Sequence, residues 1–151
     1  MPEQSKSIRY WFYCDTLGPI GSGAVLILRL VVGAAFLFHG WPKIQNPMGW
    51  MGPQAPVPGV LQALAAVAEF GGGLAFILGL LTRLAALGII STMLVALATV
   101  HLPRGDPFVA KSGPSYELPA VYLACAVVFL VLGPGKIGID ALIFGEAKEK
   151  G

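Results

Sequence analysis

Two residues carry opposite charges in places where charge is costly. Arg29 lies in an apolar run at about residues 20–41, and Glu69 lies within "LAAVAEFGGGLAFILGLLTR", residues 64–83. A charge in hydrocarbon persists when it is paired, protonated or turned to a cavity, and intramembrane ionisable groups mark functional sites by default. Arg29 comes ten residues after Pro19 and Glu69 eleven after Pro58. A rise of ~1.5 Å per residue puts them roughly 15 and 16 Å in from opposite sides of a core about 30 Å thick. The expectation is a buried Arg29–Glu69 ion pair, since each charge is the cheapest partner for the other. Its role is open between fixing the helices and taking part in proton or quinone chemistry.

A second set gathers at one end of the apolar runs. His39, Trp41 and Lys43 close the first, His101 closes the third, and Glu117 opens the fourth. Hydrogen-bonding groups beside an aromatic surface and an apolar slot suit a quinone headgroup and its tail. These five are therefore the candidate quinone- or ligand-binding residues. Axial haem ligation by the two histidines is a less favoured alternative, and simple hydrogen bonding to loop carbonyls is the bland one. No metal centre is expected. Cys14 and Cys125 form no CxxC pair, and both read as small buried hydrophobes.

The elements that must position these groups are membrane helices. The chain has 151 residues, of which 56% are hydrophobic and 12% charged, with a mean hydropathy of +0.75. A soluble domain carries about 25% charged residues, so lipid is the natural solvent here. No basic patch with interleaved aromatics is present, which argues against nucleic acid as a partner. The expected partners are the lipid bilayer and either other membrane or redox subunits or further copies of the chain.

The fold class expected is an all-α membrane protein, a bundle of four transmembrane helices at about 20–41, 59–81, 84–102 and 117–133. Together they make one domain, 20–143, between an interfacial segment, 1–19, and a tail, 144–151. The first apolar run is too long for a signal peptide and reads as an uncleaved span. A proline- and glycine-rich connector follows it. "LLTRLA" is a short turn that makes spans two and three antiparallel neighbours, and "GPGKIGID" ends span four. Asp140 is expected to cap the short helix "ALIFGEAKEK".

Lys6, Arg9, Arg83, Lys136, Lys148 and Lys150 fall on one side, and Lys43, Arg104 and Lys111 on the other. The positive-inside rule then places both termini in the cytoplasm and the chain in the inner, cytoplasmic membrane. Helical spacing puts Ser22, Gly33, Phe36 and Gly40 on the Arg29 side. It puts Gln62, Ala65, Ala66, Gly73 and Phe76 on the Glu69 side. Gly88, Ser91, Thr92 and Thr99 form a stripe expected to donate hydrogen bonds to the charge pair.

"LRLVVGAAFLFHGWPKI" (28–44) followed by "ALAAVAEFGGGLAFILGLLTRLAAL" (63–87) resembles the DoxX family of small bacterial and archaeal membrane proteins. The resembling features are an early Arg in span one, a His-Gly-x-x-Lys at its end, Glu-x-x-Gly-Gly in span two and the Gly-Leu-Leu-Thr-Arg turn. The late "GPGKIGIDALI" is similar to that family's closing element, so the resemblance runs over roughly 25–143. It implies a four-helix membrane bundle, with Arg29, His39, Lys43, Glu69 and Arg83 as the family-typical positions. The family includes membrane subunits of thiosulfate:quinone oxidoreductase. The function this implies is a membrane subunit of a redox-linked complex that meets the quinone pool, with electrons arriving through a partner because no flavin, iron–sulfur or c-haem motif is present. The rival is a non-catalytic accessory or anchoring subunit of a larger complex.

Overall fold

Apolar side chains at helical spacing, interrupted by Pro- and Gly-rich connectors, leave the backbone one way to satisfy its polar groups in lipid, which is to coil on itself. The computed structural model describes residues 11–13 and 17–145. The expectations for Cys14, for most of the N-terminal segment and for most of the tail fall outside those residues. The elements are α1 (Pro19–Gln45), α2 (Gly59–Leu78), α3 (Thr82–Ala96), α4 (Glu117–Leu132) and the short α5 (Ile139–Phe144). α3 runs on through a π-helical turn, Leu97–His101, and a last turn, Leu102–Arg104. No strand occurs among the described residues.

Three of these helices, Pro19–Gln45, Gly59–Leu78 and Thr82–Arg104, are long and apolar enough to cross a membrane, and Glu117–Leu132 is a shorter apolar helix. Large apolar side chains such as Ile27, Val31, Phe38, Leu64, Val67 and Val131 point outward, as lipid contact requires. Inside, Val25, Val32, Phe36, Phe76, Ile89, Met93 and Phe129 form the core. Phe76 of α2 meets Phe129 of α4 with ring centroids 4.6 Å apart. The expected inner faces hold for all but one residue: Ser22, Gly33, Phe36 and Gly40 are buried on α1, and Gln62, Ala66, Gly73 and Phe76 on α2, while Ala65 is half-buried.

α1 and α2 pack most extensively, and they touch backbone to backbone. A Cβ on Gly33 would lie 2.8 Å from the Gly73 carbonyl oxygen, and one on Gly73 would lie 2.8 Å from that of Gly33. Gly40 abuts the backbone of Phe70 in the same way. Small residues permit this approach in membranes, where packing replaces hydrophobic drive. The contacts also set the register. Residue 40 is level with 70 and residue 33 with 73–77, so α1 ends beside the second turn of α2 rather than at its start.

That offset overturns the expected Arg29–Glu69 pair. Arg29 is level with the end of α2. Its guanidinium donates to the carbonyls of Phe76 (2.7 Å), Ile77 (3.2 Å), Pro134 (2.6 Å) and Ile137 (2.6 Å). Depths counted from Pro19 and Pro58 were misleading because the first turns of α1 pack against the 133–138 segment, as Ser22 does against Gly135. The two ends of α1 and α2 are not flush.

Asp140 also departs from expectation. It lies in the first turn of α5, yet its carboxylate accepts hydrogen bonds from the N–H groups of Leu81 (2.6 Å) and Thr82 (2.9 Å) at the start of α3. A carboxylate at a helix N-terminus meets unsatisfied donors and the positive end of the dipole. It thereby holds the tight α2–α3 turn, in which Gly79 and Leu81 both have positive φ. The Gly79 position also lacks room for a side chain, because a Cβ would sit 2.5 Å from the Arg29 guanidinium. Arg83 completes this end by donating to the carbonyls of Trp11 and Val131. The antiparallel α2–α3 hairpin and the free, half-buried Cys125 agree with the sequence.

Candidate functional site

The acid left without Arg29 has another partner. Lys43, in the last turn of α1, places Nζ 2.5 and 2.6 Å from the two carboxylate oxygens of Glu69. The Glu69 side chain is 3% exposed and that of Lys43 22%. The pair therefore lies at the edge of the packed interior. The Trp50 ring covers the ammonium in a cation–π contact, with its centroid 4.3 Å from Nζ.

The connector between α1 and α2 is tied down by one buried side chain. Gln62 accepts from the Met51 N–H at 3.1 Å through Oε1 and donates to the Val57 carbonyl at 3.1 Å through Nε2. Trp50 Nε1 donates to the Gln62 backbone carbonyl at 3.0 Å. The first turns of α2 rise beyond the end of α1, and the connector packs on them there.

Beside the pair lies a cavity of about 370 Å³ between α2 and α3. Its polar end is Lys43, Glu69, Trp50 and Gln62, and its walls are Leu61, Leu64, Ala65, Ala68, Gly88, Val95 and Val100. Ser91, Thr92 and Thr99 also line it. Their hydroxyls donate to the carbonyls of Leu87, Gly88 and Val95 on their own helix. They do not reach the charge pair, contrary to expectation. The α3 wall ends in the π-helical turn, and such turns recur at functional sites.

The candidate set read from the sequence meets this cavity at one residue. Of the five residues, Lys43 alone lines the cavity. His39 is exposed and lies edge-on to Tyr122 of α4, 5.9 Å between centroids. Trp41 is 57% exposed and packs near Phe70. His101 bonds through Nδ1 to Asp106 at 2.8 Å, and Arg104 reaches the same carboxylate oxygen at 3.0 Å. Glu117 is exposed at the start of α4. No hydrogen bond or ring contact joins His39, His101 and Glu117 to one another among the described residues.

At Asp106, burial works against the charged form, but the hydrogen bonds and charges of Arg104 and His101 outweigh it and hold the carboxyl below its usual pKa. No group of three or more His, Cys, Asp or Glu placed to hold a metal occurs among the described residues.

The sequence places Gln62 on the Glu69 face without giving it a part in the site, and it does not single out Trp50 or the pairing of Lys43 with Glu69. One signal was available for Lys43. It follows Arg29 by fourteen residues, close to four helical turns, and so shares its inward face.

The family model of DoxX matches residues 24–102, from α1 through the π-helical turn. The chain belongs to the DoxX family. The match takes in Arg29, Lys43, Glu69 and Arg83. Among curated relatives of this DoxX protein, the Escherichia coli inner membrane protein YqjF is 32% identical over 124 residues, 79% of this chain and 91% of that protein. Two Haemophilus influenzae proteins, each described as uncharacterized, are 31% identical over 121 and 134 residues. They cover 78% and 82% of this chain and 88% and 86% of their own lengths. No solved structure matches.

Proposed function

We infer that this DoxX-family membrane protein binds a membrane-soluble molecule of the quinone type in the cavity between α2 and α3, as the membrane subunit of a redox-linked complex. The observation that carries the reading is the Lys43–Glu69 pair at the polar end of an otherwise apolar cavity. A ligand of this kind needs one carbonyl or hydroxyl partner and an apolar slot. Lys43 donates to a carbonyl oxygen, Glu69 accepts from a hydroxyl, and the α2–α3 walls take the tail. Electrons reach such a ligand through a partner subunit. The protein is oriented with both termini in the cytoplasm, the fourth span is α4, and the cavity's polar end lies toward the exoplasmic side.

The experiment compares quinone extracted from mildly solubilised wild type with that from Lys43→Met/Glu69→Gln. The double substitution removes both charges and leaves no orphan charge. Loss of at least tenfold of the bound quinone is expected, and equal content in both would refute the site.

A second reading, an accessory or anchoring subunit, draws on the other end of the molecule. There Arg29, Arg83 and Asp140 all bind backbone groups, which suits a rigid scaffold. Copurification of a redox partner with quinone favours the first reading, and of structural neighbours alone the second.

A further inference from the structure

Three observations around the cavity bear on what can enter it and from where. The first is charge. Lys43 and Glu69 are the charged residues of its lining, and they cancel. A phosphate-bearing lipid would bring an anion to a site whose one cation already holds a carboxylate at two contacts, with a desolvation cost nothing there offsets. A neutral headgroup with donor and acceptor oxygens meets no such cost. The second is the roof. Trp50, Met51 and Val57 of the connector line the cavity at its polar end, and Gln62 clamps the connector at Met51 and Val57. The third is the flank. Leu64 on α2 and Leu94 and Val95 on α3 are exposed, and Ser91, in the cavity wall, is exposed as well. The cavity is covered toward the connector and open toward the hydrocarbon.

We propose that the cavity loads sideways from the bilayer with a charge-neutral amphiphile, and that Gln62 is the positioning residue that keeps its aqueous side shut by holding the connector and Trp50 over Lys43. The proposal rests on the ligand-binding reading above and adds the route and the headgroup class. Gln62 lines the polar end, but its amide oxygen and nitrogen are both taken up by the connector, so it acts through the connector.

Trp50 provides the readout. A Trp11→Phe/Trp41→Phe protein in phosphatidylcholine vesicles leaves Trp50 as the single indole. Four quenchers are added in turn: iodide from water, an alkyl-benzoquinone, a brominated diacylglycerol and a brominated phosphatidylglycerol. Weak iodide quenching is expected, with saturable quenching by the two neutral amphiphiles at several-fold lower concentration than by the anionic lipid. Gln62→Leu should raise iodide quenching at least threefold. Met51→Pro, which removes the N–H that donates to Gln62, should do the same and stands in if Gln62→Leu does not fold. Ser91→Phe, which narrows the open flank, should abolish saturable quenching by the neutral amphiphiles and leave the iodide value unchanged.

Iodide quenching unmoved by both connector variants would overturn the shut aqueous side. Equal quenching by phosphatidylglycerol and the neutral lipids would overturn the headgroup class, and saturable quenching that survives Ser91→Phe would overturn lateral loading. Quenching by the diacylglycerol but not by the benzoquinone would sink the quinone reading alone and support the route.

Discussion

Glu69 of α2 is clasped by Lys43 of α1, with both carboxylate oxygens at 2.5–2.6 Å from one ammonium nitrogen. The first prediction tests that pairing against the one expected from depth alone. Glu69→Ala should lower stability by about 3 kcal/mol, the lower end for breaking a buried pair because Lys43 is only partly buried. Lys43→Met/Glu69→Ala should recover most of that loss, whereas Arg29→Ala/Glu69→Ala should be at least additive. Folded yield and thermal midpoint in detergent measure both cycles. Rescue by the Arg29 substitution instead would contradict the arrangement.

At the opposite end, Asp140→Ala removes two charge-assisted hydrogen bonds to the start of α3 and a carboxylate whose charge attracts Arg29. Hydrogen bonds to charged groups contribute about 1.5–3 kcal/mol each. The substitution should therefore cost more than Glu69→Ala, and Asp140→Asn should recover part, since an amide oxygen still accepts one N–H. Thermal midpoints of the three variants in the same detergent give the ranking.

The glycines of α2 should respond by position. Gly73→Ala puts a methyl 2.8 Å from the Gly33 carbonyl oxygen and should cost about 1–3 kcal/mol as the helices are pushed apart. Gly71→Ala, two residues away, meets nothing within 4 Å. It should be neutral or stabilising by about 0.5–1 kcal/mol through helix propensity. Similar losses at both would mean that the close approach of α1 and α2 is wrong.

The Asp106 carboxyl, held below its usual pKa by Arg104 and His101, predicts an acid-sensitive loop. A depressed folded pKa contributes stability that is present above the unfolded value of about 3.9 and fades as pH falls through the folded one. Protease cleavage in the loop 105–116 should accelerate below about pH 4, and Asp106→Asn should be cleaved at one rate from pH 6 to pH 3. A wild-type rate flat across that range would contradict the linkage.

The topology has its own test. With Cys14 and Cys125 replaced, a cysteine at Gly52 should react with an impermeant maleimide added to intact cells. Reaction only in inverted vesicles would reverse the orientation.

The amino-acid sequence by itself determined the helices. Apolar runs of membrane length, broken by "NPMGWMGPQAPVPG" and "GPGKIGID", leave little choice but helices with short or glycine-rich joints. It also determined which faces turn inward, because the 3.6-residue period places Gly33, Gly40 and Arg29 together on α1 and Glu69 with Gly73 on α2. The family was legible too, since its motifs are local.

What only the tertiary structure decided was the sliding of one helix along another. Nothing in the period of α1 or α2 says which residues of one lie level with which of the other. That register follows from the contacts of Gly33 with Gly73 and of Gly40 with Phe70, which are properties of two segments at once. It leaves about a dozen residues of α1 beside the closing segment, roughly 18 Å, and about five of α2 beside the connector, roughly 8 Å. From it come the partners of two buried charges: Lys43 for Glu69, and the α2 and closing-segment carbonyls for Arg29. The same offset lets the connector pack on α2, carrying Trp50 over Lys43, because a helix that outruns its neighbour must cover its inner face with something else.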